Sequence, residues 1–205
     1  MRIALFPLNT VLFPGGVLPL RIFEARYMDM VRDCMKSESP FGVCLISQGA
    51  EVGRAAATES VGCVAHIGAW DMQQLGLLNI RCVGGERFRV TERTVEANGL
   101  IRAEVTMLEA DVDHGLAEEH RPCAALLQRV IADVKAEARR AADSDETVKL
   151  PFEPPYRLDS SVWVGNRLCE VLPVPLKAKQ KLMELDDAHT RLQIITQYLK
   201  QHAVL

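Results

Sequence analysis

The sequence predicts an α+β fold in two consecutive parts. Residues 1–112 are expected to form mostly antiparallel strands with one helix, and residues 116–205 a helical bundle. Two observations carry this. Apolar residues recur with period 2 in the first part and period 3.6 in the second, and the change falls near residue 112. The dipeptide Asn98-Gly99, whose two residues tolerate the positive φ of a tight turn, sits between two alternating segments.

Phe41–Ile46 and Val61–Ile67 are apolar runs of strand length. Before Asn98, Phe88 and Val90 alternate with Arg87, Arg89 and Thr91. After Gly99, Ile101, Ala103, Val105 and Met107 alternate with Arg102, Glu104 and Thr106, which gives one buried and one wet face. One helix, over 23–36, interrupts the strands. Phe23, Tyr27, Met30, Val31 and Cys34 share a face, Arg26, Asp29, Arg32, Asp33 and Lys36 cover the other, and Pro40 stops it. In the second part Cys123, Leu127, Val130, Ile131 and Val134 form one stripe, and Leu192, Ile195 and Leu199 another. Asp186 or Asp187 is placed to cap the last helix. Asp159–Leu172, with Asp159 as cap, and Pro175–Leu185, with Pro175 in the first turn, are the helices between them. The connection 141–157 is acidic, then proline-rich.

Bulk properties exclude several classes. At 205 residues, 48% apolar and 25% charged, the chain can bury a core without staples. Its net charge of −3 comes without a basic stripe, so a phosphate-backbone partner is not expected. Pro7, Asn9, Pro14 and Gly15-Gly16 break the apolar N-terminus, so it does not read as a signal peptide. No stretch reaches the ~20 apolar residues of a membrane helix. The six cysteines, at 34, 44, 63, 82, 123 and 169, lie apart in apolar segments and read as reduced, buried thiols of a cytoplasmic protein.

Catalytic patterns are missing as well. A phosphate-cradling loop needs G-x-x-x-x-G-K-[ST], and no Gly-Lys dipeptide occurs. No serine stands in the setting of an activated nucleophile. There is no C-x-x-C, H-x-x-x-H or H-E-x-x-H. Asp111–Gly115 echoes a calcium loop, but Pro122 occupies the twelfth place, and it reads as a solvated inter-domain turn. No catalytic residue, metal or cofactor is therefore expected.

The opening Phe6-Pro7-Leu8-Asn9-Thr10-Val11-Leu12-Phe13-Pro14-Gly15-Gly16-Val17-Leu18-Pro19-Leu20-Arg21-Ile22-Phe23-Glu24 is a dense motif. Val61–Ala65, Gly85–Val90, Lys179–Leu185 and Arg191-Leu192 follow in order. Together they resemble the substrate-binding (N-terminal) domain of Lon protease, a PUA-like family shared with cereblon. Ala25–Val31 resembles its free-standing bacterial members. The resemblance implies a PUA-like β pseudo-barrel followed by a helical subdomain, with neither ATPase nor Ser-Lys peptidase. Phe13, Pro14, Gly15, Pro19, Arg21, Glu24, Arg26, Tyr27, Arg87 and Phe88 carry the signature. Their structural reading is that Pro7, Pro14 and Pro19 bound short strands, Gly15-Gly16 turns, and Arg21, Glu24 and Arg26 form an ion-pair cluster. Asp71–Gly76 replaces the family's acidic-glycine turn, and His66 stands where an acid is usual.

The expected function is a non-catalytic polypeptide-recognition module linked to protein quality control. Its partners would be unfolded or regulated polypeptides, with a protease or chaperone beside it, no membrane and no nucleic acid; homo-oligomers stay open. RNA binding through the PUA-like barrel is the alternative, against which stand the acidic balance and 5% aromatics. Trp70, Met72, Leu75 and Leu77 are candidate partner contacts, because a strand connection normally carries polar residues. Leu150, Phe152, Tyr156 and Leu158 form a second candidate; for both, packing within the chain is the competing reading.

Overall fold

The alternating residues of the first part become strands of one ring-closed sheet. The computed structural model describes residues 1–142 and 152–204. In chain order the elements are β1 (Arg2–Leu8), β2 (Val17–Ile22), α1 (Ala25–Lys36), β3 (Phe41–Gln48), β4 (Ala57–Thr58), β5 (Val61–Gln74), β6 (Leu77–Val95) and β7 (Ile101–Met107). Then come α2 (Arg121–Ala142), α3 (Ser161–Val171), α4 (Leu176–Glu184) and α5 (Ala188–Gln201). The ring runs β1-β7-β6-β5-β3, and β3 returns to β1. Among the described residues that closing pair is the only parallel one. Two compact units result, Met1–Ala110 with Val174–Glu184, and Asp111–Pro173 with Leu185–Leu205. Pro175–Leu185 reads in sequence as part of the helical half, yet α4 belongs to the sheet unit.

The opening motif is a clip on β6. Phe13 is fully buried and Gly15 takes φ 73°. Gly15 N–H donates to the Gly84 carbonyl and Gly84 N–H to that of Gly16, each at 2.8 Å. A Cβ on Gly84 would overlap the Phe13 carbonyl, so that close approach requires glycine. The prolines behave differently from expectation. Only Pro14 lies in the turn; Pro7 and Pro19 sit inside β1 and β2. Pro19 is tolerated because β2 pairs on one side only, with β6.

Helix α1 starts two residues later than its apolar pattern suggests. Phe23 precedes it and is 58% exposed, while Glu24 takes the N-cap position. The expected ion-pair cluster contains two of its three members. Buried Arg26 donates to Glu24 Oε2 at 2.8 Å and to the Gly99 carbonyl at 3.1 Å, and lies 4.6 Å from the Tyr27 ring centroid. Tyr27 stacks on Phe6 at 4.1 Å. Arg21 is exposed and stands outside the pair, because its neighbour Ile22 takes the inward position on β2.

The β6–β7 hairpin forms with a longer turn than Asn98-Gly99 suggests. Gly99 alone takes positive φ, 84°, and its N–H donates to the Glu96 carbonyl while Asn98 Oδ1 accepts from Leu100 N–H. Phe88 is fully buried, and Gly42 and Gly62 lie beneath its ring edge. Arg87 is buried beside it and donates to the carbonyls of Met183 (2.9 Å) and Glu109 (3.1 Å). Gln180 Nε2 adds a bond to the Val61 carbonyl at 3.0 Å, so α4 is stitched to the sheet by side chains from both partners.

In the second unit Cys123, Leu127 and Ile131 of α2 are buried, as are Leu192, Ile195 and Leu199 of α5. Asp187 caps α5 by accepting from the N–H groups of His189 and Thr190. The cap of α3 is Ser160 rather than Asp159; its hydroxyl accepts from Trp163 N–H and donates to Asp113. Val112–Gly115 are exposed at the boundary between the two units, as the sequence reading has it, but the segment also carries two anchoring carboxylates. The Asp111 carboxylate is buried 2.5 Å from Arg191 Nη1, and Arg191 also donates to Asn166 Oδ1 and to the Leu185 carbonyl. Asp113 accepts from both hydroxyls of Ser160 and Ser161 and from Ser161 N–H.

Removing Arg191 strands a buried carboxylate. Arg191→Ala is expected to cost ~3–5 kcal/mol in urea unfolding, the usual penalty for breaking a buried pair. A second expectation concerns pH. Burial pushes the Asp113 carboxyl up, but hydrogen bonds from Ser160, Gly115 N–H and Ser161 outweigh it and hold it below its ordinary value. A lowered folded-state value means stability present above the unfolded value of ~3.9 and lost as pH falls through the folded one. Asp113→Asn should flatten that acid limb in melts taken from pH 6 downward.

Candidate functional site

The β5–β6 hairpin runs beside β2 as far as Leu78 and is two-stranded only at its tip. Cys63 and Ala65 of β5 and Leu78, Ile80 and Cys82 of β6 face inward. The register then shifts between Ile67 and Ala69 and again between Asp71 and Gln74. The connection expected around Trp70 is therefore strand, and the turn is only Leu75-Gly76, with Gly76 at φ 82°. Trp70 and Met72, two residues apart, share one strand face. That face and the outer side of α1 border a groove of about 610 Å³, lined by Met28, Met35, Trp70, Met72 and Leu78. A hollow of about 330 Å³ on the other side of Trp70 is lined by Cys34, Ser39 and His66 among others.

Trp70 is 59% exposed, Met72 40% and Leu75, at the turn, 96%; Leu77 is half-buried. Burying such a side chain is worth roughly 1.5–3 kcal/mol, a gain the folded chain forgoes here. The rim is charged, with Asp29, Arg32 and Lys36 along it. Arg32 lies 2.8 Å from Asp29 and 3.4 Å from Asp33, all three more than half exposed. Such exposed pairs contribute little stability and leave the methionine-lined floor as the chief attraction. Met28 and Met35, seven residues apart on α1, lie off the buried stripe; that spacing was the signal for a second apolar edge.

The second candidate separates. Phe152 is buried to 3% exposure and serves as core rather than contact. Tyr156 is half-buried, with Lys135 Nζ 4.2 Å from its ring centroid and Trp163 at 6.2 Å. Leu158 is half-buried as well, and Leu150 lies outside the described residues. The signature residues Phe13, Gly15, Glu24, Arg26, Tyr27, Arg87 and Phe88 all serve contacts within the sheet unit.

Reactive groups are held inert. All six cysteines are buried thiols, and burial pushes Cys44 and Cys82 up to about 12. Cys34 and Cys123 are raised by burial too, so none of these four is a thiolate nucleophile at neutral pH. Ser160 and Ser161 are committed to Asp113.

The family model for the ATP-dependent protease La (LON) substrate-binding domain matches residues 2–201. The chain belongs to this family. A Lon N-terminal domain protein from Xanthomonas campestris is 35% identical, with a TM-score of 0.75 covering 95% of this chain and 96% of that one. The N-terminal domain of a Mycobacterium avium complex Lon protease shares the fold at 16% identity, TM-score 0.64, over 98% of this chain and 100% of that one. Lon protease of Cytophaga hutchinsonii is 27% identical over 89% of the chain, and cereblon of Gallus gallus 31% over 48%. The chain spans 22% of each of those two relatives. The architecture is thus the Lon N-terminal domain fold, mostly antiparallel sheet with helices. Among the described residues no helix is long and apolar enough to cross a membrane.

Because Trp70 is more than half exposed and Leu75 almost wholly so, the double change Trp70→Ala, Leu75→Ser should leave stability within about 1 kcal/mol of the parent. A thermal melt checks this; a loss of several kcal/mol would mean ordinary core.

Proposed function

We propose that this chain is a non-catalytic polypeptide-recognition module, related to the substrate-binding domain of Lon, that takes apolar segments in the groove between α1 and the β5–β6 hairpin. The observation that carries the reading is the exposed set Trp70, Met72 and Leu75 beside a methionine-lined groove. Recognition of unfolded chains needs apolar surface that adapts to many side chains, and methionine supplies it through its flexible thioether. Family membership supports polypeptide as the ligand class. Inert thiols and committed serines support binding without chemistry. The reading extends to protein quality control, with a protease or chaperone acting on what is held, and to a cytoplasmic setting in which buried thiols stay reduced. The ring closed by β1–β3 supports a PUA-like kinship. RNA binding gains little: of the groove's cations, Arg32 and Lys36, the first is ion-paired, and a single aromatic ring offers no stacking platform.

Titrating reduced, carboxymethylated lactalbumin into the purified chain tests the proposal by calorimetry. A tryptophan anchor is commonly worth 2 kcal/mol or more, so Trp70→Ala, Leu75→Ser should weaken binding roughly 30-fold. Unchanged affinity in a folded double variant would sink the groove as the binding surface.

A further inference from the structure

The helical unit brings together three side chains that the family function does not use. Glu119 and His120 lie in the 3-10 turn Glu118–His120 that leads into α2, and His189 opens α5. Asp187 holds the first turn of α5 in place by accepting from the N–H groups of His189 and Thr190, so the His189 backbone is fixed while its ring stays exposed. One ligand atom from each of Glu119, His120 and His189 lies within 4.8 Å of the other two. The two imidazoles meet edge to face, centroids 5.4 Å apart.

His120 is the informative member. It is 2% exposed, and its Nδ1 stands 3.0 Å from Thr196 Oγ1. The Thr196 hydroxyl donates to the Leu192 carbonyl at 2.8 Å, so its oxygen is the acceptor for an Nδ1–H. In the neutral ring that assignment leaves Nε2 as a bare lone pair. Nε2 is buried without a hydrogen-bond partner, and Glu119 Oε1 lies 3.4 Å from it. A lone pair facing a carboxylate across that gap is repulsive unless a cation lies between them. Two ligands of a tetrahedral zinc ion, each ~2.0–2.2 Å from the metal, stand roughly 3.4 Å apart. The histidine whose far nitrogen is oriented by a helix-borne hydroxyl has the outer-shell support that metal-binding imidazoles require.

We propose that Glu119, His120 Nε2 and His189 bind a divalent transition-metal ion of the zinc class. Two imidazoles and one carboxylate are borderline donors, which favour Zn²⁺ or Co²⁺ over Mg²⁺ and Ca²⁺. A hollow of about 470 Å³, lined by Glu119, His120, Gln193, Thr196, Gln197 and Lys200, opens onto two of the three ligands. Lys200 opposes a cation there and limits the affinity. The competing occupant is a proton on Nε2, which would make His120 and Glu119 a simple ion pair.

The test uses the full chain, stripped with chelator and dialysed. Calorimetric titration with ZnCl₂ should show one saturable equivalent, MgCl₂ and CaCl₂ none, and CoCl₂ should develop the visible absorption of a low-coordinate site. His189→Ala and Glu119→Gln, both at exposed positions, should each lower zinc affinity at least tenfold with unchanged melting of the metal-free chain. His120→Gln should do the same, and because it alters a buried ring its folding is checked by circular dichroism first. Absence of a saturable equivalent overturns the proposal and leaves the proton as occupant. So does zinc binding of undiminished affinity in both exposed variants, which would place the metal elsewhere.

Discussion

The pairing of one long strand with three partners is the constraint from which the sheet unit follows. β6 lies against β5 along most of its length, against β2 from Leu78 to Val83, and against β7 from Phe88 to Val95. The handover from β2 to β7 occurs at Gly84–Arg87, where the opening clip is bonded to the Gly84 backbone. No side chain fits at Gly84, which explains why a glycine stands at the point of greatest crowding. Either side of it the two apolar clusters divide: Leu78, Ile80 and Cys82 join one, Phe88 the other. Arg87, next to Phe88, reaches the last turn of α4.

Buried arginines recur as fasteners in both units. Arg26 ties the start of α1 to the β6–β7 turn, Arg87 ties β6 to α4, and Arg191 ties α5 to Asp111. Arg167, on α3, is paired with Glu170. A guanidinium suits this work because its planar fork meets carbonyls and carboxylates in fixed geometry while staying charged. Apolar packing alone leaves such junctions free to slide; a cation that must be satisfied in one place does not. In the signature, Glu24, Arg26 and Tyr27 are accordingly a joint of the fold.

The apolar hairpin tip was legible because it breaks a local rule: Trp70, Met72 and Leu75 occupy a stretch where wet backbone favours small polar residues. What the rule misplaced was the turn itself, since β5 continues through Trp70 and Met72. The helix wall of the groove was harder to see, because Met28 and Met35 look like ordinary partners of the core stripe beside them. Phe152 shows the same limit from the other side. An aromatic residue in a proline-rich connection has no local signal that distinguishes a contact from a core anchor, and here the core takes it. The histidine and glutamate cluster left no motif, as Glu119-His120 and His189 stand about seventy residues apart in sequence.

The sequence by itself determined what depends on near neighbours. Period 2 and period 3.6 separate strands from helices, the Asp186-Asp187 pair marks the start of α5, Gly99 turns the β6–β7 hairpin, and the opening motif identifies the family. These signals arise from steric and hydrogen-bonding preferences acting within a few residues. Tertiary structure decided what depends on distant segments returning to one place. It put α4 with the sheet through a bond spanning 96 positions, and it turned the Asp111 loop into the anchor of Arg191, 80 positions away. It also left Arg21 in water while burying Arg26. An arginine, an aspartate or a histidine carries no mark of burial in its own sequence window; its environment is set when remote chain closes over it.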